Sequence, residues 1–282
     1  MTTATLSPKS AKVRFRLAGD AQPLILLPVR VNGEGPFEFI LDTGAGTSLL
    51  SSDLAKKLNI KIISTKEGQS AGGKISVSLA TVDSLAVGQV KLDDVDVGIV
   101  DLDNIAKTIG GKIDGDVGYN FLKHFRITID YHNCEIRFDE PRRIERLGRS
   151  AKTEVPMRLA SLAKPLLLVQ VHANGHGPFQ FAIDTGTSTT AIAPELAQQL
   201  GLEGSPVGPL TTGGSQINVT AGTLESFQVG RARIDDLVVV VADFFSMLSQ
   251  AVGARLEGIV GYNFLRNFRV VIDYPGEKFR LE

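Results

Sequence analysis

The chain has 282 residues, and 30 basic against 31 acidic side chains leave a net charge of −1, a balance that points to no nucleic acid or other polyanion as partner. Hydrophobic residues at 43% and charged residues at 22% are ordinary for a globular protein, and the length exceeds one usual domain, so two domains of about 140 residues each are expected. The one cysteine, Cys134, excludes an intramolecular disulfide and permits a reducing compartment.

The stretch from Met1 to Arg16 lacks an apolar core of the signal-peptide kind, and no segment approaches the roughly 18 apolar residues of a membrane span. The expectation is a chain without membrane association, in the cytoplasm; a secreted chain whose signal has been removed would read the same. Met1 to Lys12 is either a disordered arm or an edge strand. Apolar or alternating runs at Leu24 to Val31, Phe37 to Leu41, Ile75 to Val82 and Val90 to Val100, bounded by Gly, Asn and Asp, predict strands. Helices are few and short: Ser52 is the expected cap of Asp53 to Leu58, and Asn120 is placed to open a single turn. The charged segment Pro141 to Ser150 carries Pro and Gly and predicts a linker, 141–153, between a first domain, 1–140, and a second, 154–282.

Beyond the linker the chain repeats itself. Gly35-Pro36-Phe37-Glu38-Phe39-Ile40-Leu41-Asp42-Thr43-Gly44 returns as Gly177-Pro178-Phe179-Gln180-Phe181-Ala182-Ile183-Asp184-Thr185-Gly186, an offset of 184 − 42 = 142. Gly118-Tyr119-Asn120-Phe121-Leu122, with Phe125-Arg126 and Ile129-Asp130-Tyr131, returns from Gly261 to Tyr274 at 261 − 118 = 143. In the second half Glu195 to Leu200 starts a helix after Pro194 and stops at Gly201, and Asn263 repeats the place of Asn120. One long repeat of this kind means two whole domains of one fold.

Each Asp-Thr-Gly triplet ends an apolar strand, so its carboxylate emerges from a hydrophobic core at a tight loop. Two such carboxylates within hydrogen-bonding distance cannot both ionise cheaply and share one proton over a broad pH range. The ionised member removes a proton from a water held between them while the protonated member polarises a peptide carbonyl, a pairing for which aspartic proteases are the standard example. Gly44 and Gly186 permit close approach of the loops, and a buried Thr43 or Thr185 hydroxyl can bond the opposite loop's backbone. Three residues after the aspartate, Thr187 offers Asp184 a hydroxyl donor where Ala45 offers Asp42 none, so Asp184 is the expected ionised partner and Asp42 the protonated one.

With these motifs the chain resembles the retropepsin and pepsin clan of aspartic peptidases over most of both halves. Ile259-Val260-Gly261 matches the apolar-apolar-Gly segment that runs beneath the active loop in that clan, whereas Asp116-Val117-Gly118 sets an acid at the first position. The resemblance places Gly-rich flaps at Ala71-Gly72-Gly73 and Thr212-Gly213-Gly214. A flap in each half, and no tyrosine near either, look more like a fused retropepsin dimer than a pepsin. What the resemblance implies is an all-β fold of two barrel lobes about a pseudo-twofold axis, with Asp42 and Asp184 as catalytic residues and no cofactor or metal. The partner is a peptide or protein substrate lying extended in the cleft of one chain that acts as a monomeric pseudo-dimer, cut between bulky apolar residues.

Other readings compete with this one. The loops can pair instead between two chains of a homodimer, or the cleft can bind peptides without turnover; the intact triplets argue against a pure binder, which has no use for paired, repelling carboxylates. Gly68-Gln69-Ser70-Ala71-Gly72 fits a serine nucleophile elbow only in spelling, since a strand follows it and the second half has no matching serine. The scattered His124, His132, His172 and His176 imply no metal site. Asp130, Asp273, Arg126 and Arg269 are read as structural groups at strand ends.

Overall fold

The computed structural model describes residues 4–6, 10–19, 23–70, 73–140, 154–161, 165–212 and 215–282; the expected linker, 141–153, lies outside them. The fold is all-β with two repeated lobes, as the repeat implies. In the first lobe the strands Leu24–Val31, Glu34–Leu41, Gly115–Val117, Leu49–Ser51, Val90–Val100 and Gly73–Val87 are neighbours in that order, and the last pairs with the first to close a barrel. The second lobe repeats the closure with Leu167–Ala173, His176–Ile183, Gly258–Val260, Ala191–Ile192, Ala232–Val241 and Ser215–Val229. Closure removes the open edges that an alternating sheet would otherwise present.

The pleat sends Phe37, Phe39 and Leu41 of one strand into the main core, while Ile40 joins a second apolar cluster on the opposite face. Asn32-Gly33 and Asn174-Gly175, all at positive φ, make the hairpin turn into each of these strands. Ala4–Leu6 pairs with Val90–Val100, so the N-terminal stretch does contribute an edge strand.

The strand expected over Leu24 to Val31 and the one over Val90 to Val100 keep those bounds, and the other two lie inside longer strands. Helix boundaries moved. Ser51, not Ser52, caps the helix Ser52–Lys57, its hydroxyl accepting from Leu54 N–H at 3.1 Å. Pro194 opens Pro194–Gln199 as its fixed φ favours. Asn120 and Asn263 lie inside the single turns Tyr119–Leu122 and Tyr262–Leu265, and Gly118 and Gly261 stand at their N-caps. The helices Asp103–Thr108 and Phe245–Val252 were not anticipated; the first has neither a buried residue nor a side-chain cap to mark it.

A third sheet joins the lobes. Its order is Glu154–Val155, Lys278–Leu281, Arg269–Asp273, Arg126–Asp130, Glu135–Asp139 and Ser10–Arg14, so strands of the two lobes meet at its centre with Arg126 opposite Asp273 and Asp130 opposite Arg269. Arg269 reaches Asp130 at 3.6 Å and Arg126 reaches Asp139 at 3.4 Å, while Asp130 and Asp273 accept from the N–H groups of Asn133 and Gly276, which makes all four structural. Tyr119 meets Tyr274 and Tyr131 meets Tyr262 edge to face across the lobes, each with ring centres 5.5 Å apart.

Candidate active site

Asp42 and Asp184 each follow the last residue of a barrel strand, Glu34–Leu41 and His176–Ile183. The chain leaves the strand at a fixed point because Asp42 N–H donates to Val117 O and Asp184 N–H to Val260 O, both at 3.1 Å. A reciprocal latch then holds the loops together. Thr43 N–H donates to Thr185 Oγ1 at 3.1 Å and Thr185 N–H to Thr43 Oγ1 at 3.0 Å. The Thr43 hydroxyl donates to Ile183 O at 3.0 Å and the Thr185 hydroxyl to Leu41 O at 2.7 Å. Both threonines are buried, so each hydroxyl satisfies a donor and an acceptor that no water reaches.

The latch brings the carboxyls face to face. A Cβ added at Gly44 would stand 2.7 Å from Asp184 Oδ2, and one at Gly186 would stand 2.8 Å from Asp42 Cγ. Only glycine fits between each loop and the opposite acid. Within its own loop Asp42 Oδ1 accepts from Gly44 N–H at 2.8 Å and Ala45 N–H at 3.0 Å. Asp184 Oδ1 accepts from Gly186 N–H at 2.8 Å, and its Oδ2 from the Thr187 hydroxyl at 2.9 Å.

Two segments of the chain carry the arrangement in duplicate, and two segments match one family. The family of aspartyl proteases matches residues 27–121 and again residues 169–264. The chain belongs to the aspartyl protease family. No curated protein matches the chain. The duplicated match makes it two fused retropepsin-like domains, each bringing one Asp-Thr-Gly loop to the contact.

In this member of the family the two carboxyls are not electrostatically equal. Burial pushes Asp42 well above the ordinary carboxylate range, and the charges of Asp184 and Asp116 push it further against the pull of the Gly44 and Ala45 amides. Burial also raises Asp184, but the Thr187 hydroxyl is the largest influence holding it down, followed by the Gly186 amide and a hydrogen bond from Asp42. These influences raise Asp42 more than Asp184 and so favour the proton on Asp42. Ala45 supplies through its backbone the second donor that its side chain lacks, so the sequence overstated the contrast at that position; Asp116 restores it.

Asp116 is 5% exposed, its Oδ1 accepts from Leu49 N–H at 2.9 Å, and burial pushes its carboxyl up to about 7. Ile259 holds the same place in the second lobe. The only sequence signal for it was the acid in an otherwise apolar motif. Asn120 was misread as a helix opener: its Oδ1 accepts from both the N–H and the hydroxyl of Ser48, at 2.8 and 2.9 Å, and its amide donates to Asp96 O at 2.7 Å. Asn263 does the same for Thr190 at 2.8 Å and Val238 O at 2.7 Å. These side chains clamp the segment that leaves each Asp-Thr-Gly loop, and nothing local in the sequence marks a bond across more than 70 residues.

Hairpins stand at both expected flap positions, Ser64–Ser70 with Gly73–Val87 and Ser205–Thr212 with Ser215–Val229. Gly73 opens one strand and Thr212 ends another; Ala71, Gly72, Gly213 and Gly214 lie outside the described residues. Ser70 ends a strand that leads into another strand, so no nucleophile elbow forms there.

Proposed function

We propose that this protein is an aspartic endopeptidase in which Asp42 and Asp184 activate one water against the scissile peptide bond. The observation that carries this reading is the mutual contact of the two loops, where each glycine admits only the opposite carboxyl. Asp184, favoured as the anion by the Thr187 hydroxyl, takes a proton from the water as its oxygen bonds to the carbonyl carbon. Asp42 gives its proton to the carbonyl oxygen, producing a neutral diol. Asp184 then gives its proton to the amide nitrogen, the C–N bond breaks as Asp42 takes a proton from a diol hydroxyl, and the pair is restored with one proton shared. An extended substrate lies between the lobes and pairs with the two hairpins as added strands. One chain provides both loops, which supports a single chain as the acting unit.

The test is cleavage of a mixed peptide library from pH 3 to 8 by wild type, Asp42→Asn and Asp184→Asn. Each single variant is expected to lose about 10²- to 10⁴-fold in kcat/KM, because either change removes the acid–base pair. A variant that keeps most of its activity overturns the dyad. A rate per chain that rises with enzyme concentration overturns the monomer, and a wild type that binds peptides and cuts none assigns the cleft to binding alone.

A further inference from the structure

The repeat makes the two walls of the cleft comparable residue by residue, and they differ. Asp116 pairs with Ile40 on one neighbouring strand and with Leu49 on the other, so the three side chains project from one face. The opposite face sends Phe39, Leu41 and Val117 into the lobe core. On the Asp116 face, Ile40 clusters with Val77 of the flap hairpin, and Leu49 and Ile75 pack against them. A Cβ at Gly98 would touch both Leu49 Cδ2, at 2.7 Å, and Val77 Cγ1, at 3.0 Å, so these residues adjoin. The carboxyl also lies close enough to the dyad to feel Asp184 and to act on Asp42. Asp116 therefore stands on the first-lobe wall between the paired aspartates and the flap. In the second lobe the corresponding wall has Ala182, Ala191 and Ile259, in the same register.

A carboxyl this buried is costly without a counter-charge, and among the described residues no lysine or arginine pairs with Asp116. One oxygen is bonded to Leu49 N–H, which fixes the group's orientation. Its surroundings, Ile40, Leu49 and Val77, suit an alkyl stem that ends in a charge.

We propose that Asp116 is a specificity-determining residue, receiving a lysine or arginine side chain of the substrate next to the scissile bond on the first-lobe side, while Ala182, Ala191 and Ile259 receive an apolar one on the other. The assignment rests on the endopeptidase reading for the position of the scissile bond. The cation displaces the proton of Asp116 and forms the ion pair that the free protein lacks, with the stem lying along Ile40 and Leu49. The small alanines opposite leave room for a bulky apolar group.

The experiment uses pairs of non-cleavable hydroxyethylene peptides, identical except for lysine or norleucine beside the isostere, with each flanking position varied in turn. Calorimetric titration of the full chain should show lysine favoured at least about tenfold at one position and not at the other. Asp116→Asn keeps the acceptor for Leu49 N–H and the shape of the side chain, and should abolish the preference without lowering the melting temperature. Asp116→Ile, copying the second lobe, should invert it toward norleucine. The proposal is overturned if the preference survives both substitutions, if wild type favours norleucine at both positions, or if it binds neither ligand. Library cleavage separates the two readings: discrimination without cleavage sinks the endopeptidase and keeps Asp116, and cleavage without discrimination does the reverse.

Discussion

Valine in place of Thr43 preserves the shape of the side chain and removes one hydroxyl that serves two buried backbone groups, Ile183 O and Thr185 N–H. Leaving both unpaired should cost about 2 to 5 kcal/mol of stability, read from urea unfolding; a loss under about 1 kcal/mol would mean the latch is incidental. Thr187 acts on charge. Thr187→Val withdraws the hydroxyl that stabilises ionised Asp184, so the pKa of the acidic limb of kcat/KM should rise and activity below that limb should fall. An unmoved acidic limb would assign the lower pKa elsewhere. The threonines were legible as candidates because each stands within three residues of its aspartate in the chain. The Ala45 amide was not, because a backbone donor leaves no trace in residue type.

At the level of strands and turns, what matters is how closely the segment under each loop can approach it. Gly261 is the clearest case: a Cβ there would stand 2.8 Å from the Thr189 carbonyl carbon and 2.9 Å from Thr187 O, both backbone atoms that cannot rotate away. Gly261→Ala should therefore displace the loop that carries Asp184, costing about 1 to 3 kcal/mol in stability and at least about tenfold in kcat/KM. An alanine variant with wild-type melting and rate would show that the loop has slack. Strand positions were readable from alternation, since the pleat is a local property of the backbone. The roles of Asn120 and Asn263 were not, since their bonds span 72 and 73 residues of chain.

Across the whole molecule, three carboxyls gather where the lobes meet, Asp116 buried and Asp42 and Asp184 half-buried, and desolvation raises every one of them. For an acid whose folded pKa is raised, the protonated form is the one the fold prefers. Stability is thus fully present below the ordinary value of 3.8 and is lost as pH climbs, for Asp116 through about 7. The folded state should weaken between pH 4 and 7, and Asp116→Asn should flatten that decline by an amount on the order of a few kcal/mol, seen in melting curves across pH. An identical slope in the variant would assign the pH dependence to other groups. The sequence by itself determined the duplication, the strand pattern and the two Asp-Thr-Gly loops, because repeats, alternation and tight turns are written in neighbouring residues. Tertiary structure alone decided that the loops interlock 142 residues apart, that lobe strands share one sheet, and that Asp116 loads its charge onto Asp42. Hydrogen bonds and Coulomb forces act through space, and the distances that set them exist only once both lobes are folded together.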